Sequence, residues 1–313
     1  MSFSLEELEA AARVVHAAMP PTPQYAWPLL AARAGCEVWV KHENHTPTGA
    51  FKVRGGLVYF DRHRKSGGMV SATRGNHGQS LAYASRRYRI PVTIVVPHGN
   101  SVEKNAAMRA FGAELIEYGR DYEEARVESY RLAKERGLEI VPPYHPDLVL
   151  GVATYALELF RAVAGLHTVY VPIGMGSGIC GLIRVRDLLG LSTRVVGVQS
   201  ERAPSYARSF EANRLVTTDS ADTFADGMAT RVPDPEALAI IRKGAERVVT
   251  VSEDEIAAAM RALFSDTHNL AEGAGAAPLA ALLKETGAMR GRRVGLILSG
   301  GNIDLDLFLR VLG

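Results

Sequence analysis

Ser4 is followed three residues later by Glu7, a capping box, and apolar residues then recur at helical spacing to about Met19. The chain therefore opens on an amphipathic helix, which the proline-bearing stretch Pro20 to Gln24 ends. Beyond it, short β-branched runs alternate with stretches of helical period. "CEVWVKHE" from Cys36, "MVSAT" from Met69, "VTIVVP" from Val92 and "AELIEY" from Ala113 read as strands. So do "TVYVPI" from Thr168, "RVVGVQS" from Arg194, "RVVTVS" from Arg247 and "RVGLILSGG" from Arg293. Between the early strands lie "GNHGQSLAYASRRY" and "SVEKNAAMRAFG", both helical in pattern. Strands separated by helices of that length predict an α/β fold of mostly parallel sheets with covered faces.

Residues 67–145 hold a complete set of strand–helix units, flanked by "KSGG" and "VPPYHP". This block is expected to be a small α/β domain inserted into a large one formed by residues 1–66 and 146–313. The join makes a cleft, the default place for a ligand.

Composition narrows the function classes. A net charge of +2, from 36 basic and 34 acidic residues, offers no general attraction to nucleic acid or an anionic membrane. Any anion site must be local. Cys36 and Cys180 stand far apart, with no disulfide framework or zinc spacing. The acidic start of the chain lacks a signal-peptide profile, and no apolar run approaches a membrane span. A soluble cytoplasmic protein is expected.

Four motifs carry candidate chemistry. In Thr48-Gly49-Ala50-Phe51-Lys52, an aromatic ring and glycines offer a semi-apolar setting that lowers the pKa of an amine and makes it reactive; the alternative is a solvated lysine opening a helix. Thr73-Arg74-Gly75-Asn76-His77-Gly78 lies between a strand and a helix. Its consecutive amides suit a carboxylate, and Asn76 can donate to a ligand oxygen. The bland reading there is an Asn cap with a buried histidine. Gly174-Met175-Gly176-Ser177-Gly178 follows a strand and precedes a helix, a cradle for a monophosphate. A dinucleotide site is the rival, but no acidic residue stands where a ribose contact needs it. Ser299, in Leu298 to Asn302 at the end of the last strong strand, can bond a heterocycle nitrogen, or simply belong to a turn.

Each motif falls at the carboxyl end of a strand or the adjoining helix start, where α/β proteins bind ligands. An amine, a carboxylate cradle, a monophosphate cradle and a hydroxyl for a ring nitrogen together match pyridoxal phosphate holding an amino acid.

From about Pro20 to Asp304 the chain resembles the serine/threonine dehydratase and serine racemase family, the fold-type-II pyridoxal phosphate enzymes. "TGAFKVRG", "TRGNHG", the glycine loop and "SGGN" occur in that family's order. The resemblance implies that Lys52 carries the cofactor, with Phe51 packing near its ring. It implies that Asn76 contacts the phenolic oxygen, that Gly174, Met175, Gly176, Ser177 and Gly178 hold the phosphate, and that Ser299 faces the pyridine nitrogen. Thr73, Arg74, Gly75, Asn76 and His77 would hold the substrate carboxylate. "ADG" (Ala225 to Gly227) and "AEGAG" (Ala271 to Gly275, with Glu272) would line the cofactor region. A homodimer is the expected assembly.

The implied activity is an ammonia-lyase acting on a β-hydroxy amino acid, L-threonine or L-serine first. A hydroxyl opposite the pyridine nitrogen leaves that nitrogen unprotonated and the cofactor a weaker electron sink, which suits elimination. Alternatives are 3-hydroxyaspartate, phenylserine or an intermediate of hydroxyectoine breakdown as substrate, serine racemisation, or a non-catalytic or dinucleotide-binding protein.

Three departures matter. Racemases of the family have serine where Arg74 stands, and a guanidinium cannot exchange protons near neutrality. Arg74 either reaches a substrate carboxylate or points outward. The family's divalent-cation site falls on Gln199, Ala203 and Ser205, which lack carboxylates, so no metal is expected there. Met175 and Ser177 interrupt the family's glycine run.

Overall fold

The computed structural model describes residues 3–313. Its first helix, Leu5–His16, carries the capping box in both directions: the Glu7 amide donates to Ser4 Oγ, and the Ser4 amide to Glu7 Oε2. It stops at His16, short of Met19. Met19 is buried with the same apolar cluster, but it precedes Pro20, and a residue before proline is driven out of helical backbone. The apolar period thus runs past the helix end.

Among the described residues the strands are β1 (Gln24–Ala26), β2 (Glu37–His42), β3 (Met69–Ala72), β4 (Val92–Val96) and β5 (Glu114–Glu117), then β6 (Glu139–Ile140), β7 (Thr168–Pro172), β8 (Arg194–Ser200), β9 (Arg247–Val251) and β10 (Arg293–Leu298). They form two sheets, ordered β1-β2-β10-β7-β8-β9 and β5-β4-β3-β6. Every strand pairing is parallel except β1 with β2, where Gln24 faces Lys41. The eight strands expected from the sequence are present. The two unexpected ones, β1 and β6, have only three and two residues and sit on sheet edges, too short for a period to show.

The second sheet draws only on residues 69–140, the first only on chain to either side. Successive residues of β3 and β4 alternate between clusters: Met69, Val92, Ile94 and Val96 on one face, Val70, Ala72 and Val95 on the other. Both faces are covered, as parallel sheets require.

Helix Lys52–Arg62 packs on glycines against helices Asn76–Tyr88 and Pro146–Ala162. A Cβ on Gly151 would lie 2.3 Å from the Arg54 carbonyl oxygen, one on Gly55 2.8 Å from that of Leu148, and one on Gly56 2.3 Å from Ser80 Oγ. The helix that begins with Lys52 is therefore seated backbone to backbone. Among the described residues no helix is long and apolar enough to cross a membrane.

Candidate active site

Lys52 opens its helix directly beyond Phe51, whose amide donates to the Ser299 carbonyl at 2.9 Å. That bond joins the first motif to the end of β10. The Lys52 side chain is half-buried, and Nζ donates to Ser177 Oγ at 3.1 Å, so the amine meets the first residue of the helix after the glycine loop. No carboxylate pairs with it among the described residues. Burial accordingly lowers its pKa to about 8. Lys52 is thus a half-buried lysine with a lowered pKa, not a freely solvated one.

The glycine loop curls between β7 and helix Ser177–Leu188. Gly176 has φ of +99°, the left-handed region. A Cβ on Gly174 would lie 2.2 Å from the Gly227 carbonyl oxygen, so the "ADG" segment closes over the loop. Met175 is accommodated through its carbonyl, which accepts from Tyr206 Oη at 3.0 Å. Tyr155 stacks edge-on against Phe51 with ring centroids 6.2 Å apart, and its hydroxyl donates to the Gly178 carbonyl at 2.8 Å. Phe51, Tyr155, Gly178 and Ser299 share the lining of one small cavity.

Asn76, the first residue of its helix, donates through Nδ2 to Glu272 Oε1 at 2.8 Å. Its Oδ1 accepts from Asn302 Nδ2, also at 2.8 Å, while Asn302 binds the Thr48 carbonyl. One polar chain thus links all the motifs except the glycine loop, which Lys52 reaches directly. Glu272 is buried, and its Oε2 has no hydrogen-bond partner among the described residues. Burial raises its pKa to about 7, against the pull of Lys104. Lys104 Nζ lies 4.0 Å from Glu272 and 2.5 Å from Asp226 Oδ2.

In the loop Thr73 to Gly78, the Gly75 amide donates to Thr73 Oγ1 at 3.1 Å, and a Cβ on Gly75 would strike Lys104 Cδ at 2.5 Å. His77 is buried beneath it. Burial and nearby Lys52 lower its pKa to about 3, and its Nε2 is unpartnered among the described residues. Arg74 does not join this group: it is exposed, with no hydrogen bond or ion pair among the described residues. Gln199 accepts from the Ala207 amide and Ser205 donates to the Thr230 carbonyl, both within the core.

Sequence reasoning passed over Lys104, Tyr155 and Asn302 as individual residues. Lys104 sits in a stretch recognised only as helical, and nothing in the local pattern marks it as buried.

A phosphate-bearing aldehyde fits this cleft on the structure's own terms. A left-handed glycine opens a helix for the phosphate, an amine of lowered pKa lies beside it, and two buried polar atoms, Glu272 Oε2 and His77 Nε2, have no hydrogen-bond partner among the described residues.

The comparisons agree. Residues 15–300 match the family model described as "Pyridoxal-phosphate dependent enzyme". The chain is 31% identical to an L-threonine ammonia-lyase of Thermotoga maritima, over 99% of this chain and 78% of that protein. It is 34% identical to an L-threo-3-hydroxyaspartate ammonia-lyase of a Pseudomonas sp, over 93% and 92%. The solved maize serine racemase superposes with a TM-score of 0.93 at 26% identity, covering 99% of this chain and 97% of that one. The chain belongs to the pyridoxal-phosphate dependent enzymes, in their ammonia-lyase group, and pyridoxal phosphate is its cofactor.

Proposed function

We propose that the chain converts a small β-hydroxy amino acid, L-threonine or L-serine, to a 2-oxo acid and ammonia. The observation that carries this reading is the Lys52 amine, half-buried without a carboxylate partner among the described residues and with its pKa lowered to about 8. Such an amine both holds an aldehyde covalently and, once displaced, takes a proton from the substrate α-carbon at Nζ. Bound pyridoxal phosphate supplies the electron sink for breaking that C–H bond. Gly174 to Gly178 would hold the phosphate, Asn76 would lie toward the ring oxygen and Ser299 toward the ring nitrogen, and the amides of Thr73 to His77 would hold the substrate carboxylate. Residues 67–145 act as a small domain over the cleft, and the enzyme works as a cytoplasmic homodimer.

A neutral substrate side chain is favoured because the buried cation beside the cleft, Lys104, is already paired with Asp226. Gln199, Ala203 and Ser205 offer no carboxylate, so added magnesium or calcium leaves the rate unchanged. Borohydride reduction of the loaded enzyme followed by peptide mapping places the label on Lys52; label on Lys41 or Lys65 overturns the assignment.

A second substrate, L-threo-3-hydroxyaspartate, is favoured by one feature: the Arg74 guanidinium beside the carboxylate loop, unpaired among the described residues. A charge-assisted bond there contributes about 1.5–3 kcal/mol, so Arg74→Ala raises KM for 3-hydroxyaspartate roughly ten-fold or more and leaves threonine unaffected. A panel scored by 2-oxo acid formation decides between the two.

A further inference from the structure

At the far end of the helix that begins with Lys52, a second constellation forms. His63 caps that helix, and His145 and Asp147 begin helix Pro146–Ala162. One ring nitrogen from each histidine and an Asp147 carboxylate oxygen lie within 4.8 Å of one another, all half-buried. Arg62 Nη1 donates to Asp147 Oδ1 at 2.6 Å. The other oxygen, Oδ2, is left 3.2 Å from His63 Nε2 and 3.7 Å from His145 Nδ1.

The surroundings orient His63 as a ligand is oriented. Its Nδ1 faces Glu139 Oε1 at 2.6 Å, on edge strand β6, and its Nε2 faces Asp147 Oδ2, so that with Nδ1 donating to Glu139 the neutral ring would offer Nε2 to an ion. Metal-bound histidines characteristically donate their second N–H to a carboxylate in this way. Tyr59 stacks flat on the imidazole, with centroids 4.0 Å apart and planes 2° apart, and donates its hydroxyl to the same Glu139 oxygen at 2.8 Å. The ring is thus held on its face and at its edge. His145 presents Nδ1 to the cluster. Its Nδ1 accepts the Asp147 amide, a single hydrogen bond for an ion to displace.

We propose that His63, His145 and Asp147 bind one divalent transition-metal ion, zinc foremost, with Glu139 orienting His63 and water completing the coordination. Two imidazoles and one carboxylate suit zinc and its borderline neighbours; magnesium and calcium prefer oxygen throughout. The ion joins the end of the Lys52 helix to the start of helix Pro146–Ala162, beside the edge strand of the second sheet. It is a staple, remote from the reacting atoms.

The test uses the cofactor-loaded enzyme, washed free of metals with chelator. Zinc chloride is titrated by calorimetry, and cobalt(II) by its visible d–d absorption. The expected result is one ion per chain at a dissociation constant of roughly micromolar or below, with cobalt bands of a four- or five-coordinate site. His145→Asn removes the ligand while keeping a good helix cap, and His63→Gln keeps a donor toward Glu139. Each lowers zinc affinity by about a hundred-fold or more, and Glu139→Gln by roughly ten- to hundred-fold. Saturating zinc raises the wild-type Tm by a few degrees and leaves that of His145→Asn unmoved. The cofactor absorbance of the variants verifies that they fold. Wild-type enzyme taking up no more zinc than His145→Asn overturns the proposal and leaves His63 a proton-bearing link between Glu139 and Asp147; equal uptake by all the variants overturns it too.

Discussion

Two lysines serve the cleft, Lys52 and Lys104, and their surroundings send them in opposite directions. Both are removed from water, which disfavours the ammonium form. Around Lys52 no carboxylate among the described residues answers that cost, and its pKa falls to about 8. Around Lys104 burial acts the same way, but Asp226 and then Glu272 outweigh it, and the pKa rises. One residue type thus has its pKa lowered in one place and raised in another. The presence of a carboxylate within about 4 Å decides which.

The largest expected effect tests this contrast directly. Lys52→Ala lowers kcat/KM by roughly ten-thousand-fold or more, since it removes both the covalent anchor and the proton acceptor. Lys104→Ala costs about ten- to hundred-fold, by leaving Asp226 and Glu272 unneutralised. Equal losses in steady-state assays would erase the distinction between them.

Next in size is Arg54, two residues beyond Lys52 and fully buried. Its guanidinium binds Glu43 at 2.7 Å and Glu158 at 2.6 Å, and Lys41 also reaches Glu158. Arg54→Met strands those carboxylates and lowers stability by about 3–5 kcal/mol, read from urea denaturation.

Glu272 sharpens the comparison from the carboxylate side. Its folded-state pKa of about 7 lies above the ordinary value of 4.5, so between these values the folded protein holds a proton that the unfolded chain releases. The stability of the cofactor-free protein is therefore greatest, as far as this group goes, below about pH 4.5, and is lost as pH rises toward 7. Thermal melts from about pH 5 to about pH 7 show that fall for the wild type and a flatter line for Glu272→Gln.

The smallest effect is kinetic. Only the neutral amine attacks an aldehyde, so pyridoxal phosphate incorporation by the cofactor-free protein accelerates with pH and levels off above about 8. A stopped-flow series in which the rate still climbs steeply beyond about pH 9 would mean that Lys52 is an ordinary solvated lysine.

Much of this was legible in the chain because it is local. The Ser4 and Glu7 box, the eight longer strands and the loops at their carboxyl ends are written within a few residues of each other. The alternating facing of β3 and β4 follows from the two-residue period of a strand. What stayed hidden is long-range. Lys104 meets Asp226 across 122 residues of sequence, and Arg54 meets Glu158 across 104. Whether a lysine is paired or bare depends on such meetings, and no local pattern records them. The same holds for His63, whose partners Glu139, His145 and Asp147 lie on the last strand of the second sheet and just beyond it. Met19 failed in the opposite sense: its apolar character marks burial, and the proline beside it withholds the helix.

The glycine-tight seat of the Lys52 helix sets the terms on which this sequence can drift. An alanine at position 151 would have to push aside the Arg54 backbone, and one at position 56 would displace Ser80, whose hydroxyl holds the Lys52 carbonyl at 2.7 Å. Both neighbours adjoin the backbone of the Lys52 helix. Arg74, in contrast, is exposed and makes no hydrogen bond or ion pair among the described residues, so it can be exchanged at little structural cost. Substitution therefore finds freedom at exposed loop positions such as 74 and almost none along the seat of the Lys52 helix, so descendants of this chain will vary in the first far sooner than in the second.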